Sequence, residues 1–208
     1  MQLQTLTAVT IPGYKIYEYL LVISPHEDLR NKIKKVKQDF YELYKASTAI
    51  WGKPHITLVN FLQYEIAEEK IVNRLKTIAM GCHPIKIELK DYSSFPSHTI
   101  YINVTSKVPI QTLVKQIRSE AQRLMKLNND NKPHFILEPH LTIAGRLEPW
   151  QYEKGWLEYS NKNFTGRFIA DGMLLLKRSM DDRRYQIVQR FEFQNLPGSS
   201  FMQGNLFN

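Results

Sequence analysis

Apolar positions along the chain follow two periods in turn, one suited to strands and one to helices. Residues 17–23, rich in Tyr, Leu, Val and Ile, predict a strand. Ser24-Pro25-His26-Glu27 then has the form of a capping box with proline at the first helical position, which makes His26 a solvent-facing helix-start residue. The helix runs to about Tyr44 on a stripe of Leu29, Ile33, Val36 and Phe40, and Lys32, Lys34, Lys35 and Lys37 are assigned to its solvated face. Trp51-Gly52-Lys53-Pro54 turns into a strand ending near Leu62, a second helix spans 65–80 and closes at Gly81, and 85–89 alternates as a half-buried strand. A strand at 99–105, a helix at 109–127, a polar loop at 128–133, a strand at 137–146 and a helix at 149–159 follow. Residues 164–177 and 184–193 read as a closing hairpin around a turn at 179–183, with a flexible tail from 197 to 208.

The second half restarts the first. At an offset of 84, Leu29, Ile33, Phe40 and Leu43 align with Leu113, Ile117, Leu124 and Leu127, and Tyr17 aligns with Tyr101. Each set lies on one helical stripe. No linker separates the halves, so residues 1–196 are expected to form a single bilobal α+β domain. It would hold two sheets with flanking helices around a central cleft, the lobes exchanging near residue 95 and again at the C-terminal hairpin.

Within this pattern two strings carry the chemistry: Pro54-His55-Ile56-Thr57-Leu58 and Pro139-His140-Leu141-Thr142-Ile143. In a strand, residues i and i+2 share a face, so each histidine stands beside a hydroxyl with apolar neighbours behind. A neutral imidazole can take a proton from water or a hydroxyl while an opposing imidazolium gives one to a leaving oxygen. Two threonine hydroxyls could donate to the non-bridging oxygens of a phosphodiester. Two histidines without a third ligand make a poor zinc site, so neither metal nor cofactor is expected.

Composition narrows the setting. The 208 residues carry a net charge of +8, which favours polyanionic partners. No apolar run is long enough to cross a bilayer, and residues 1–10 lack the character of a signal peptide. The lone Cys82 leaves no internal disulfide. A cytoplasmic monomer is expected.

Paired His-x-Thr strings on apolar strands, about eighty residues apart in a duplicated α+β chain, resemble the 2H (two-histidine) phosphoesterase superfamily. The branch they are similar to is that of 2′-5′ RNA ligase and RNA 2′,3′-cyclic phosphodiesterase. The resemblance implies a V-shaped fold with His55, Thr57, His140 and Thr142 meeting in its groove. It also implies metal-independent hydrolysis of 2′,3′-cyclic phosphate ends of RNA or nucleotides to 2′-phosphates. The alternatives are 2′-5′ ligation, or a non-catalytic module that binds RNA ends. Many relatives place an arginine five positions after the second motif histidine; here Gly145 occupies that position and Arg146 follows.

Four further residues are candidates for substrate contact. Phe61 extends the His55, Thr57, Val59 face and could stack on a base or pack in the cleft. Arg146 continues the His140, Thr142, Ala144 face and could meet a phosphate or end the strand as an exposed charge. Arg178 and Tyr185 flank the last hairpin, Tyr185 either near the groove or in the core. Trp51 and Trp150 are read as structural, and His83, His98 and His134 receive no catalytic role.

Overall fold

The computed structural model describes residues 14–196; the expected tail at 197–208 lies outside them. Among the described residues nine strands form two antiparallel sheets. One contains β1 (Ile16–Ile23), β2 (Ile56–Tyr64), β5 (His134–Phe135), β8 (Gly172–Ser179) and β9 (Gln186–Glu192), in the order β5-β2-β1-β8-β9. The other contains β3 (Ile85–Phe95), β4 (Thr99–Val104), β6 (His140–Gly145) and β7 (Thr165–Ala170), in the order β6-β4-β3-β7. Four helices complete the α+β architecture: α1 (Glu27–Tyr44), α2 (Glu68–Met80), α3 (Lys107–Met125) and α4 (Pro149–Tyr159).

The halves trade their helices. α1 follows a strand of the first sheet but lies against β6 and β7 of the second, beside α4. α3 follows a strand of the second sheet yet packs with α2 against the first. Burial of apolar stripes drives both placements: Leu29, Ile33, Phe40 and Tyr44 in α1, and Ile110, Val114, Ala121 and Met125 in α3.

Those stripes keep the offset of 84 at two pairs, since Leu29 and Ile33 are buried and so are Leu113 and Ile117. The duplication itself is visible as strand–helix–strand in both halves, β1–α1–β2 and β4–α3–β6. Leu43 is exposed, so its pairing with Leu127 is no part of the buried stripe. The strands depart from that offset: Val22 stands opposite Thr57 as Tyr101 stands opposite Thr142, which removes Tyr17 as the counterpart of Tyr101.

Local departures from the expected elements have local causes. The first helix is capped by His26, whose Nδ1 accepts the Leu29 N–H at 3.4 Å; Pro25 precedes the cap, and Ser24 is not the cap. The segment 137–139 is not strand, because β5 pairs with Val59 and Asn60 of the opposite sheet before the chain enters β6. The run 164–177, expected as one strand, divides at Asp171 into β7 and β8 in different sheets. Gly172 permits this change, since a Cβ there would lie 2.4 Å from the Phe191 carbonyl oxygen. The chain first changes sheets between β2 and β3, through α2, rather than near residue 95.

Candidate functional site

Each motif begins with a buried proline, Pro54 or Pro139. A residue before proline is held extended, and here those residues, Lys53 and Glu138, turn their carbonyls toward the histidine two positions on. His55 Nδ1 lies 2.8 Å from the Lys53 oxygen, and His140 Nδ1 lies 2.8 Å from the Glu138 oxygen. A carbonyl only accepts, so in both rings Nδ1–H donates and Nε2 keeps the lone pair. The same bond recurs at His98 with Pro96, 3.0 Å, in the exposed turn between β3 and β4. The ring–carbonyl bond alone therefore does not make a site; the motif strands add the rest.

Each motif strand bulges just past its threonine. Val22 opposes Thr57 while Leu21 opposes Val59, leaving Leu58 as the extra residue. Tyr101 opposes Thr142 while Ile100 opposes Ala144, leaving Ile143 extra in the same place. The bulge reverses the alternation beyond it. Thr57, Asn60 and Leu62 are half-buried on one face of β2, whereas Leu58, Val59, Phe61 and Gln63 are buried. In β6 the half-buried set is His140, Thr142 and Gly145.

Two expectations fall with this geometry. Phe61 is 4% exposed and stacks on Tyr19 at 5.1 Å, so it is a core residue and not a base platform. Arg146 does not continue the motif face: Ala144 is buried, and Arg146 leaves the strand exposed in the left-handed conformation, φ 52°. Strict alternation misplaced both because the extra residue is invisible in an apolar string.

The two motifs meet where the sheets adjoin. β6 is the edge strand of its sheet, and β5 and the following Ile136 cover β2 at Leu58, Val59 and Asn60, so the His55–Thr57 segment is also open-edged; the two strands run close together. Burial pushes both imidazoles below the usual histidine pKa. The charge of Lys37 and that of His140 push His55 down further, while the Glu138 carboxylate acts upward on His140. Phe95 and Tyr101 wall the His140 ring, at 4.9 and 5.1 Å between centroids.

Lys37 is the residue that sequence reading misplaced most. Assigned to a solvated face, it is 7% exposed, and its Nζ donates to the Thr142 carbonyl at 3.5 Å. Burial lowers its pKa to about 8. The signal was available: Leu29, Ile33, Lys37 and Phe40 form one stripe at steps of four, four and three. Lys32, Lys34 and Lys35 are exposed as expected. Phe95 and Tyr101 gave no local signal, because only pairing across β3, β4 and β6 brings them to the histidine.

The hairpin candidates form a separate group. The Arg178 guanidinium bonds the Glu18 carboxylate at 2.7 Å and lies over the Tyr185 ring at 4.8 Å. Glu18 pairs with Leu62 on one side and Arg178 on the other, which puts this group five residues along β2 from Thr57. Trp51 and Trp150 are about half exposed and belong to no core cluster, against expectation. His26, His83, His98 and His134 are exposed. Among the described residues no three His, Cys, Asp or Glu side chains gather as metal ligands, and no helix is long and apolar enough to cross a membrane.

A family model for the 2′-5′ RNA ligase superfamily matches residues 25–182, spanning both motifs. The chain belongs to that superfamily. A relative from Geobacillus kaustophilus, named "Putative phosphoesterase GK0864", is 30% identical over 143 residues, covering 65% of this chain and 73% of the relative. A Bacillus pumilus protein with the name "Putative phosphoesterase" is 23% identical over 133 residues, covering 62% and 71%. Among solved structures, the TT0787 protein of Thermus thermophilus shares the superfamily fold at TM-score 0.60 and 14% identity, with 85% and 98% of the two chains covered. LigT of E. coli, solved with 3′-AMP, does so at TM-score 0.60 and 13% identity, with 86% and 99% covered.

Proposed function

We propose that this superfamily member is a metal-independent phosphodiesterase. It hydrolyses 2′,3′-cyclic phosphate ends of RNA or nucleotides to 2′-phosphates. The observation that carries the reading is the pairing of His55 and His140 on neighbouring strands, each beside a threonine and each with Nδ1 tied to a backbone carbonyl and Nε2 left for proton transfer. With the cyclic phosphate between the motifs, one neutral Nε2 takes a proton from water as its oxygen attacks phosphorus. The other ring, protonated, gives its Nε2 proton to the 3′-oxygen as the P–O3′ bond breaks. Thr57 and Thr142 hydroxyls donate to the non-bridging oxygens, where charge grows in the transition state. The basic chain suits an anionic substrate, and LigT, solved with 3′-AMP, NADP+ and ATP, supplies a precedent for nucleotide ligands on this fold.

The decisive assay follows hydrolysis of 2′,3′-cyclic nucleotides and cyclic-ended RNA with and without EDTA. His55→Ala or His140→Ala should each cost on the order of 10²–10⁴-fold in kcat with the circular dichroism spectrum unchanged. Undiminished turnover in both variants would reject the reading. The superfamily name favours a second reading, 2′-5′ ligation, in which a 5′-hydroxyl takes the place of water, gives its proton to the same base and displaces the 3′-oxygen. RNA ends bearing a 2′,3′-cyclic phosphate and a 5′-hydroxyl, sized after incubation, separate the two. Tight binding of cyclic-ended RNA without turnover would identify a non-catalytic module.

A further inference from the structure

Each sheet carries its helices on one face and leaves the other open, and the sheets meet along β2 and β6. The open faces differ in chemistry. The first sheet shows half-buried Leu20, Leu62, Leu174 and Leu176, with Ile187 largely exposed beside them. The second is polar and cationic. Its buried positions, Ile85, Ile87 and Leu89 in β3 and Phe168 and Ala170 in β7, lie under the helices. Lys86, Glu88 and Lys90 therefore share the open face with Thr165, Arg167 and Ile169. His140 and Thr142 belong to the same face, because Leu141 and Ile143 are buried members of β6.

Pairing carries this face outward from the motif. His140 stands opposite Asn103 of β4. Two residues on, the Thr105 N–H donates to the Glu88 carbonyl at 2.9 Å, and Glu88 stands opposite Arg167, as Lys90 does opposite Thr165. Neighbouring strands are about 4.8 Å apart, so Lys90 lies two spacings from β6, roughly 10 Å, and Arg167 three, roughly 14 Å. Lys90, Thr105, Thr165 and Arg167 line an open depression there. Among the described residues no carboxylate lies within ion-pair distance of Lys90 or Arg167. Glu88 is taken by Lys86 at 2.9 Å, and Asp91 turns back to accept the Phe164 N–H at 3.2 Å.

We propose that this face is a track for the backbone of a single-stranded RNA whose 3′ end lies at the two motifs. Lys90 and Arg167 neutralise phosphates upstream of the reacting one, and the bases turn toward the apolar face of the first sheet. The inference rests on the proposed hydrolysis for the position of the 3′ end, and it narrows the substrate to an RNA chain. A mononucleotide held by its phosphate at the motifs ends before these cations, whereas a chain meets them with successive phosphates. Each contact releases counterions. A duplex has its bases already paired, so only a single strand gains from an apolar face beside a basic one.

Calorimetry with 2′-phosphate-ended oligoribonucleotides of one to five residues tests the track without reference to turnover. Affinity at low salt should rise about 10-fold or more with length, and the salt dependence should steepen with it. Lys90→Ala with Arg167→Ala should bring the ratio of five-residue to one-residue affinity close to one. It should also flatten the salt slope by about 1.4, two contacts at about 0.7 each. Lys34→Ala with Lys35→Ala, on the solvent face of α1, should keep the wild-type ratio and slope. All four residues are exposed, and circular dichroism checks that both double variants keep the fold. A wild-type ratio near one, a ratio that survives the Lys90 and Arg167 changes, or an equal loss from the Lys34 and Lys35 changes would overturn the proposal. So would a blunt-ended RNA duplex that binds as tightly as the single strand. Length-dependent binding that needs Lys90 and Arg167, without turnover of any cyclic-ended substrate, would reject the proposed hydrolysis and leave the track standing. Turnover of cyclic mononucleotides without any length dependence would do the reverse.

Discussion

A histidine hydrogen-bonded to its own backbone has one nitrogen settled and one free, and in this chain the residue before each motif proline enforces that state twice. Burial then lowers both rings from the ordinary value of about 6.5. The base must be deprotonated and the acid protonated, so both limbs of the free-enzyme kcat/KM profile should move in the acid direction. A bell centred below the ordinary histidine range is expected when initial rates on a 2′,3′-cyclic nucleotide are scanned against pH. The hydroxyls act only as charge grows on phosphorus oxygens. Thr57→Val or Thr142→Val should accordingly lower kcat by about 10²-fold with little change in KM, read from steady-state kinetics. The identities of these four residues were plain in the amino-acid string. Lys37 was not, because its long stem lets one residue sit on an apolar stripe and still carry charge.

At the scale of the element, the paired bulges decide which residues join the motif face. One extra residue per strand turned Phe61 inward and stopped Arg146 from following Thr142. If Phe61 is a core residue, Phe61→Ala should cost about 3–5 kcal/mol in urea unfolding, with KM for a cyclic nucleotide nearly unchanged in the folded fraction. Binding lost without loss of stability would restore it to the groove. The passage from β7 to β8 has a similarly local requirement. Gly172→Ala forces a methyl carbon into the Phe191 carbonyl and should destabilise by about 1–3 kcal/mol, measured the same way. The elements themselves were largely legible, α1 and α4 to their last residues, because burial of one helical stripe leaves a periodic trace. Bulges and the break at Asp171 leave none, since they depend on the partner strand.

Across the whole molecule, the buried charge at Lys37 opposes stability. Its folded pKa of about 8 lies below the ordinary lysine value of 10.5, so the unfolded chain binds more protons between those limits and stability should rise with pH there. Lys37→Met should be more stable than the wild type by about 1–3 kcal/mol at pH 7, the gain closing as pH rises through that window in urea titrations. A less stable variant throughout would show that the ammonium's bond to Thr142 outweighs its desolvation. The sequence by itself determined the strands and helices, the duplicated plan and the two His-x-Thr units, because side-chain period and residue chemistry are local properties. Only the tertiary structure decided the helix exchange between sheets, the bulged faces, the register of the repeat and the unequal settings of the two histidines. Those features arise from pairing and burial between segments far apart in the chain, where neither partner's sequence names the other.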